Sequence, residues 1–337
     1  MTKKWKLIKI LTGIFLLIVL VWFFWYSYIL YQRKIEMSKS IQESNYEIVT
    51  PTDSSVLYDG KRYERDPSIK AFLCIGVDSS GELEQRVTGD GGQADGVFVV
   101  AYDAARDQVK ILMIPRDTMT PITLTDLSGN VLGKDVQHIT LAYGYGDGRE
   151  LSCQRMAEAV SELLGGLTID GYLAMNTSMI SQLNDLVGGV TVHIENDGME
   201  HRDPALIKGN EVKLSGKQAE IFVRYRDITI DNSALHRMSQ QREYIEGYME
   251  AIQKQAARDD QTIVKIMNMI EDHMITNLSK DQYLNIGKAV LYSDEKLGQD
   301  DILTIPGEGV VTDYFDEYHY DPDGTRQMVL DLFYRER

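Results

Sequence analysis

Four side chains within eighteen residues carry most of the chemistry this sequence advertises: Arg224 and Arg226 in "FVRYRD", and Arg237 and Gln241 a little further on. If "RYR" is extended, alternation puts both guanidiniums on one side, and the spacing of four puts Arg237 and Gln241 on one helix face. Upstream, "VKILMIPRDT" sets Arg116 and Asp117 directly behind an apolar strand-like run, with Pro115 fixing the exit. Planar guanidinium forks suit phosphate oxygens, so Arg116, Arg224, Arg226, Arg237 and Gln241 form a candidate multidentate anion site. Asp78 follows the apolar run "FLCIGV" and Asp95 opens "DGVFVV"; these carboxylates are hard oxygen donors suited to Mg²⁺, which takes one or two carboxylates plus substrate phosphates. Together the residues read as a pyrophosphate–metal site, with turn chemistry and surface ion pairs as the competing structural explanation.

Other signatures are absent from the sequence. There is no G-x-x-x-x-G-K-[ST], H-E-x-x-H, G-x-S-x-G or C-x-x-C, and "AYGYGDG" lacks the setting of a dinucleotide loop. Cys74 and Cys153 show no metal spacing; Cys74 sits in an apolar run as expected of a buried thiol, and a disulfide between them stays open.

The elements that must position these residues begin after a distinctive N-terminus. Ile10 to Tyr31 contain no charged side chain, which is long enough for one transmembrane helix (10–31). Lys3, Lys4, Lys6 and Lys9 precede it, predicting a cytoplasmic tail (1–9) and a single-pass cell-membrane protein with its main domain extracytoplasmic. The bulky "FFWYSYILYQRK" favours an uncleaved signal anchor over a cleaved signal. A polar stretch over 32–67 reads as a stalk and lead-in, and the folded domain is expected over 68–337.

The chain carries a formal net charge of −16. Setting aside the seven Lys/Arg and the single Glu36 before Ser40 leaves 28 basic against 50 acidic residues, a net −22. Such a surface repels nucleic acid, and it makes a local cluster of arginines conspicuous.

Apolar runs at Ala71–Val77, Gly96–Tyr102, Val109–Ile114, Gly171–Asn176 and Val190–Ile194 predict strands. Helical patterns occupy Cys153–Leu164, Thr177–Val187, a segment opened by a Ser215/Gln218 capping box, Leu235–Ala257, Thr262–Met274, Lys280–Tyr292 and Thr325–Tyr334, with "DILTIPGEG" as a closing strand and turn. Interleaved strands and helices predict a layered α/β domain with a largely buried sheet.

In order after the N-terminal segment, "FLCIGVDS", "ADGVFVVAYD", "VKILMIPRDT", "ITLAYGYG", "LNDLVGGVTVHI", "LSGKQAEIFVRYRD" and "RMSQQREYI" resemble the LytR-CpsA-Psr family of bacterial envelope proteins. The resemblance runs from about Ile69 to the C-terminus. It implies a three-layer α/β/α sandwich around a central mixed sheet, with an apolar tunnel for a prenyl chain. It also implies an Mg²⁺-dependent (or Mn²⁺-dependent) phosphotransferase that moves a glycopolymer, such as a teichoic acid or capsule polymer, from a polyprenyl-pyrophosphate carrier to peptidoglycan at the membrane. Carried over by motif, Asp78 and Asp95 hold the metal, Arg116, Arg224, Arg226, Arg237 and Gln241 hold the pyrophosphate, and Asp117 orients its neighbours; Arg116 and Arg224 also stabilise charge during catalysis.

The sequence departs from the family pattern at four positions. Gln93 stands for an arginine, His138 for a lysine, Gln240 for the second basic residue of R-x-x-R-Q, and Ala234 for a candidate catalytic aspartate, for which nearby Asp231 is the substitute. The departures leave two alternatives beside the transferase: a non-catalytic module that binds prenyl-linked phosphate for assembly or regulation, and a carrier pyrophosphatase.

Overall fold

The computed structural model describes residues 55–78, 83–292 and 298–337, together with Trp25 and Tyr28, which are helical. The expected tail, most of the expected membrane span and the first part of the lead-in lie outside the described residues. Among the described residues no helix is long and apolar enough to cross a membrane.

Strands β1 (Ser55–Tyr58), β2 (Lys61–Arg65), β3 (Ile69–Val77), β4 (Ala94–Asp103), β5 (Gln108–Met113), β6 (Met119–Thr125) and β7 (Val131–His138) come first. Helix α1 (Glu150–Leu163), β8 (Gly171–Asn176), α2 (Met179–Leu186), β9 (Thr191–His193) and β10 (Glu211–Lys213) follow. Next are α3 (Gly216–Arg224), α4 (Ser233–Ala256), α5 (Thr262–Ile270), β11 (Met274–Thr276) and α6 (Lys280–Tyr292). The last elements are β12 (Ile302–Thr304), β13 (Gly307–Val311), β14 (Asp316–Tyr320), α7 (Pro322–Phe333) and β15 (Tyr334–Glu336).

Three expectations need correction. The fold starts before Ser68: β1 and β2 form a hairpin inside the expected lead-in, turned by Asp59 and Gly60, whose φ values of 47° and 73° are those of an Asp-Gly hairpin turn. The predicted helix over Thr262–Met274 ends at Ile270, because Ile275, 3% exposed, is claimed by the sheet edge through β11. The predicted strand at Val190–Ile194 shortens to β9 and pairs with β10 outside the central sheet.

Among the described residues the central sheet has six strands in the order β11-β8-β3-β4-β5-β12. It is mixed: β3 runs parallel to β8 and β5 to β12, while β3–β4, β4–β5 and β8–β11 are antiparallel. Period-two alternation sorts its side chains onto two faces. Leu73, Ile75, Val99 and Leu112 point to one side and pack with Met156, Val160 and Leu163 of α1 and Val329 and Phe333 of α7. On the other side Phe98, Ile111 and Met113 meet Met238 and Ile245 of α4. Helices therefore cover both faces, as the layered reading expects. A second core, around Val190, Ile194, Phe222 and Ile266, joins α3, α4 and α5 beside the sheet.

One stretch of the sheet is kept low. Gly76 and Gly96 are register partners on β3 and β4, on the face that looks toward α4. A Cβ on Gly96 would meet only Gly76 atoms at 3.7–3.8 Å, an ordinary contact. No clash requires glycine here, so what the pair provides is depth.

Candidate active site

That depth is the floor of a cavity of about 320 Å³. Cys74 and Gly76 of β3, Gly96 and Phe98 of β4, Met113 of β5 and Leu173 and Met175 of β8 line it from below. From above come Ala234, Arg237, Met238, Gln241, Ile245 and Tyr248, a single stripe of α4 at spacings of three and four. Most of the lining is apolar, but Asp95, Arg116, Arg224, Arg237 and Gln241 share its walls. Burial pushes the Cys74 thiol up to about 12, so it is a neutral part of the lining, and both Cys74 and Cys153 are free.

Each charged residue is held by an element whose local sequence explains its place. After β5, Ile114 donates its N–H to Val97 at 2.9 Å, and Pro115 opens a turn closed by the Thr118 N–H at 3.0 Å and the Thr118 hydroxyl at 2.6 Å. Arg116 leaves this turn with its side chain 15% exposed. It donates Nη1 to Asp95, Nη2 to Gln93 at 2.7 Å and Nε to Asp117 at 3.2 Å. Asp117 is thus in contact with the neighbour it was expected to orient. Gln93, standing where the family pattern has arginine, has become a clamp on Arg116.

Arg237 grips Asp95 from the opposite side, with Nη1 2.9 Å from Oδ2. It is 6% exposed, and its Nη2 is buried with no hydrogen-bond partner. Burial draws its pKa down; Asp95 opposes this, and Arg116 and Arg226 add to it. A buried charged donor left unmatched costs more than the ~1–3 kcal/mol typical of a neutral group, so the position favours an acceptor brought by a ligand.

The end of α3 is secured by two glutamines of α4. Gln240, 5% exposed, donates Nε2 to the carbonyls of Phe222 (2.6 Å) and Tyr225 (3.3 Å) and accepts from Asn196 at 2.5 Å. Gln241 donates Nε2 to the Val223 carbonyl at 3.3 Å. These are carbonyls at a helix C-terminus, where intrahelical partners run out. The capping box expected at Ser215 fixes the other end of α3.

Arg224 closes α3, bonded to Glu220 at 2.7 Å and to Asp78 at 2.5 Å. Arg226 parts company with it. Arg224 is the last helical residue and Tyr225 is extended, so the expectation that both guanidiniums enter one site fails. Arg226 instead bonds Ser233 at 2.7 Å, approaches Asp316 at 3.9 Å and lines a neighbouring polar pocket of about 410 Å³. Asp231, His138, Asp117 and Arg116 also line that pocket. Arg116 is the wall common to both spaces.

The structure therefore brings Asp95, Arg116, Arg224, Arg237 and Gln241 together at the apolar cavity and sets Arg226 and Asp231 next door. Sequence reasoning missed Glu220, whose spacing of four from Arg224 was a usable signal, and Ser233, Asp316, Tyr314 and Phe315, which had none. Asp78 and Asp95 stand at adjoining strand ends, linked by the Asp78 N–H to the Gln93 carbonyl at 3.2 Å. Among the described residues no group of three or more His, Cys, Asp or Glu could hold a metal. Both carboxylates are engaged by guanidiniums, Asp78 by Arg224 and Asp95 by Arg116 and Arg237, so the pair would supply Mg²⁺ with no more than a partial shell, the rest coming from substrate phosphate oxygens.

Fold and site together define a mixed-sheet α/β domain with a guanidinium-walled apolar chamber. The chain belongs to the LytR_cpsA_psr family, whose model matches residues 26–331. It is 26% identical over 308 residues to a Bacillus mycoides protein named polyisoprenyl-teichoic acid–peptidoglycan teichoic acid transferase TagU, covering 90% of this chain and 89% of that one. A Bacillus anthracis protein of the same name is 28% identical over 258 residues, 76% of this chain and 75% of the relative. Among solved structures, B. subtilis TagV superposes with a TM-score of 0.58 at 21% identity, covering 79% of this chain and 96% of that one. A structure described as TagT bound to LIIa-WTA gives 0.57 at 17% identity, covering 85% and 98%. These structural likenesses carry the fold.

Proposed function

We propose that this protein is a membrane-anchored phosphotransferase that moves a glycopolymer from a polyprenyl-pyrophosphate carrier to peptidoglycan. One observation carries the reading: a deep apolar chamber whose walls include three guanidiniums, one of them with a buried unmatched donor. An apolar tail joined to a multiply charged anion satisfies both halves of that space at once. The names of the relatives point to teichoic acid as the glycopolymer and peptidoglycan as the acceptor.

In this reading the prenyl chain lies between the sheet and α4, and Arg116, Arg224 and Arg237 hold the pyrophosphate with Gln241 beside them. Arg226 serves from the neighbouring pocket. Mg²⁺ (or Mn²⁺), held by Asp78 and Asp95, would neutralise part of the pyrophosphate charge. An acceptor hydroxyl attacks the phosphorus nearer the glycan, forming a new O–P bond as the bond to the lipid phosphate breaks. Arg116 and Arg224 stabilise the charge gathering on the non-bridging and departing oxygens. Asp231 takes the hydroxyl proton, standing in for the aspartate that Ala234 replaces.

The test is to incubate the full-length protein in detergent with a polyprenyl-pyrophosphoryl saccharide, Mg²⁺ and peptidoglycan fragments. Coupled glycan is the expected product. Free phosphorylated sugar identifies a pyrophosphatase instead, and bound but unchanged lipid identifies a binding module. Arg116→Ala and Arg224→Ala variants that keep lipid binding and turnover would overturn the anion site.

A further inference from the structure

The polar pocket beside Arg116 has a built wall that the transfer reaction as described leaves unused. The tip joining β13 to β14 exposes two consecutive aromatics, Tyr314 at 68% and Phe315 at 62%. Large exposed rings at the rim of a polar pocket call for an explanation in a domain otherwise rich in acidic groups. The tip is preorganised to display them. The Thr312 hydroxyl donates to the Phe315 carbonyl at 2.7 Å and accepts the N–H groups of Tyr314 (3.3 Å) and Phe315 (3.2 Å). His138 meets Phe315 edge to face at 5.6 Å and 84°.

The same hairpin is tied to the turn that carries Arg116. Tyr318 donates its N–H to the Asp117 carbonyl at 2.8 Å, and Thr118 and Tyr318 form a parallel bridge. Asp316, at the start of β14, faces Arg226. The aromatic tip is thus held at a fixed distance from the anion site rather than on a free loop. Carboxylates complete the pocket: Asp231 and Asp313 line it, and Asp316 lies 3.9 Å from Arg226.

We infer that this pocket is the subsite for the acceptor saccharide, a neutral, hydroxyl-rich sugar of the peptidoglycan glycan strand that stacks on Tyr314 and Phe315. The inference rests on the transferase reading and specifies where its second substrate sits. Three features argue for the acceptor over the donor. Flat aromatic faces suit the apolar face of a pyranose ring, and the carboxylates suit its hydroxyls. Four aspartates (Asp117, Asp231, Asp313 and Asp316) line the pocket against two guanidiniums, Arg116 and Arg226, a net negative balance that disfavours a polyanionic glycopolymer. Arg116, common to this pocket and the apolar chamber, then stands between acceptor hydroxyl and carrier pyrophosphate, the geometry a direct transfer needs.

The experiment uses full-length protein in detergent and measures, by calorimetry or NMR titration, binding of chitotetraose, of a soluble muropeptide and of poly(glycerol phosphate). Wild type is expected to bind chitotetraose and the muropeptide and not the polyanion. Tyr314→Ala and Phe315→Ala, both at exposed positions and checked by circular dichroism, are expected to weaken glycan binding at least tenfold while leaving polyprenyl-pyrophosphate binding unchanged. Phe315→Trp should restore it. Unchanged glycan affinity in the alanine variants, absence of glycan binding in wild type, or preference for the polyanion would each overturn the subsite. Loss of carrier binding in wild type would instead sink the transferase reading, so the two failures are separable.

Discussion

Arg237 bonds Asp95 through Nη1 at 2.9 Å while its Nη2 stays buried and unmatched. The guanidinium is therefore half satisfied by the protein and half reserved. Arg237→Ala should cut transfer by about 10²–10³-fold, the range for losing one preorganised donor to a developing anion. Arg237→Lys should recover little of this, since an ammonium cannot hold Asp95 and a phosphate in one plane. Single-turnover rates with carrier-linked saccharide decide it, and a fully active alanine variant would remove Arg237 from the site.

The glycine floor makes a different kind of expectation. Gly96→Val puts methyl groups into the chamber without backbone conflict, and strand propensity favours valine by up to ~1 kcal/mol. The variant should melt at or above the wild-type temperature yet bind long-chain polyprenyl pyrophosphate at least tenfold more weakly, while a short-chain analogue is little affected. Equal affinity for both lipids would show that the chain lies elsewhere.

Gln240→Ala leaves the Phe222 and Tyr225 carbonyls without their donor. The cost should be about 1–3 kcal/mol per buried group left unmatched, visible as a lower urea midpoint. Because the same bonds fix the end of α3, turnover should fall further than stability at temperatures where the variant is fully folded. A variant with normal turnover would make Gln240 a packing residue only.

His138 supplies a pH dependence. Burial lowers its pKa below the ordinary 6.5; Asp117 and Glu317 pull the other way, and Arg116 and Arg226 add to the lowering. The unfolded chain then binds a proton that the folded one refuses. Its contribution is fully present above pH 6.5 and is lost as pH falls below that value toward the lowered one. Wild type should lose stability between pH 6.5 and 5 more steeply than His138→Gln; parallel melting curves across that range would refute it.

If Asp78 and Asp95 hold a divalent ion with the pyrophosphate, Asp78→Asn should raise the Mg²⁺ concentration for half-maximal transfer by about tenfold, while EDTA abolishes transfer in both proteins. Mg²⁺-independent turnover would remove the metal from the scheme.

Much of this was legible in the sequence because the signals were local. The apolar runs, the capping box at Ser215 and the strand-end positions of Asp78, Asp95 and Arg116 depend on neighbours a few residues away. What stayed hidden depends on distance along the chain. Asp95 is clamped by residues 21 and 142 positions away. The lead-in hairpin is a strand pair because β15, near residue 335, completes it. Arg226 was misplaced because one residue of helix, Arg224, decides whether its neighbour two along points the same way. The Tyr314–Phe315 tip has no periodicity, so only its hydrogen-bonded turn reveals that it is built.

That three-stranded sheet also bears on where the domain can be held. The order β1-β2-β15 leaves the first and last described strands on either side of β2, roughly 10 Å apart at the usual strand spacing. A linker of a few residues could join Arg337 to Ser55, and new ends could be opened at a surface turn. Such a circular permutant would move the point of attachment while leaving the chamber intact. In the membrane-anchored reading, attachment and chemistry are thus separable variables, and the distance and tilt of the chamber relative to a membrane can be varied without changing any residue that lines it.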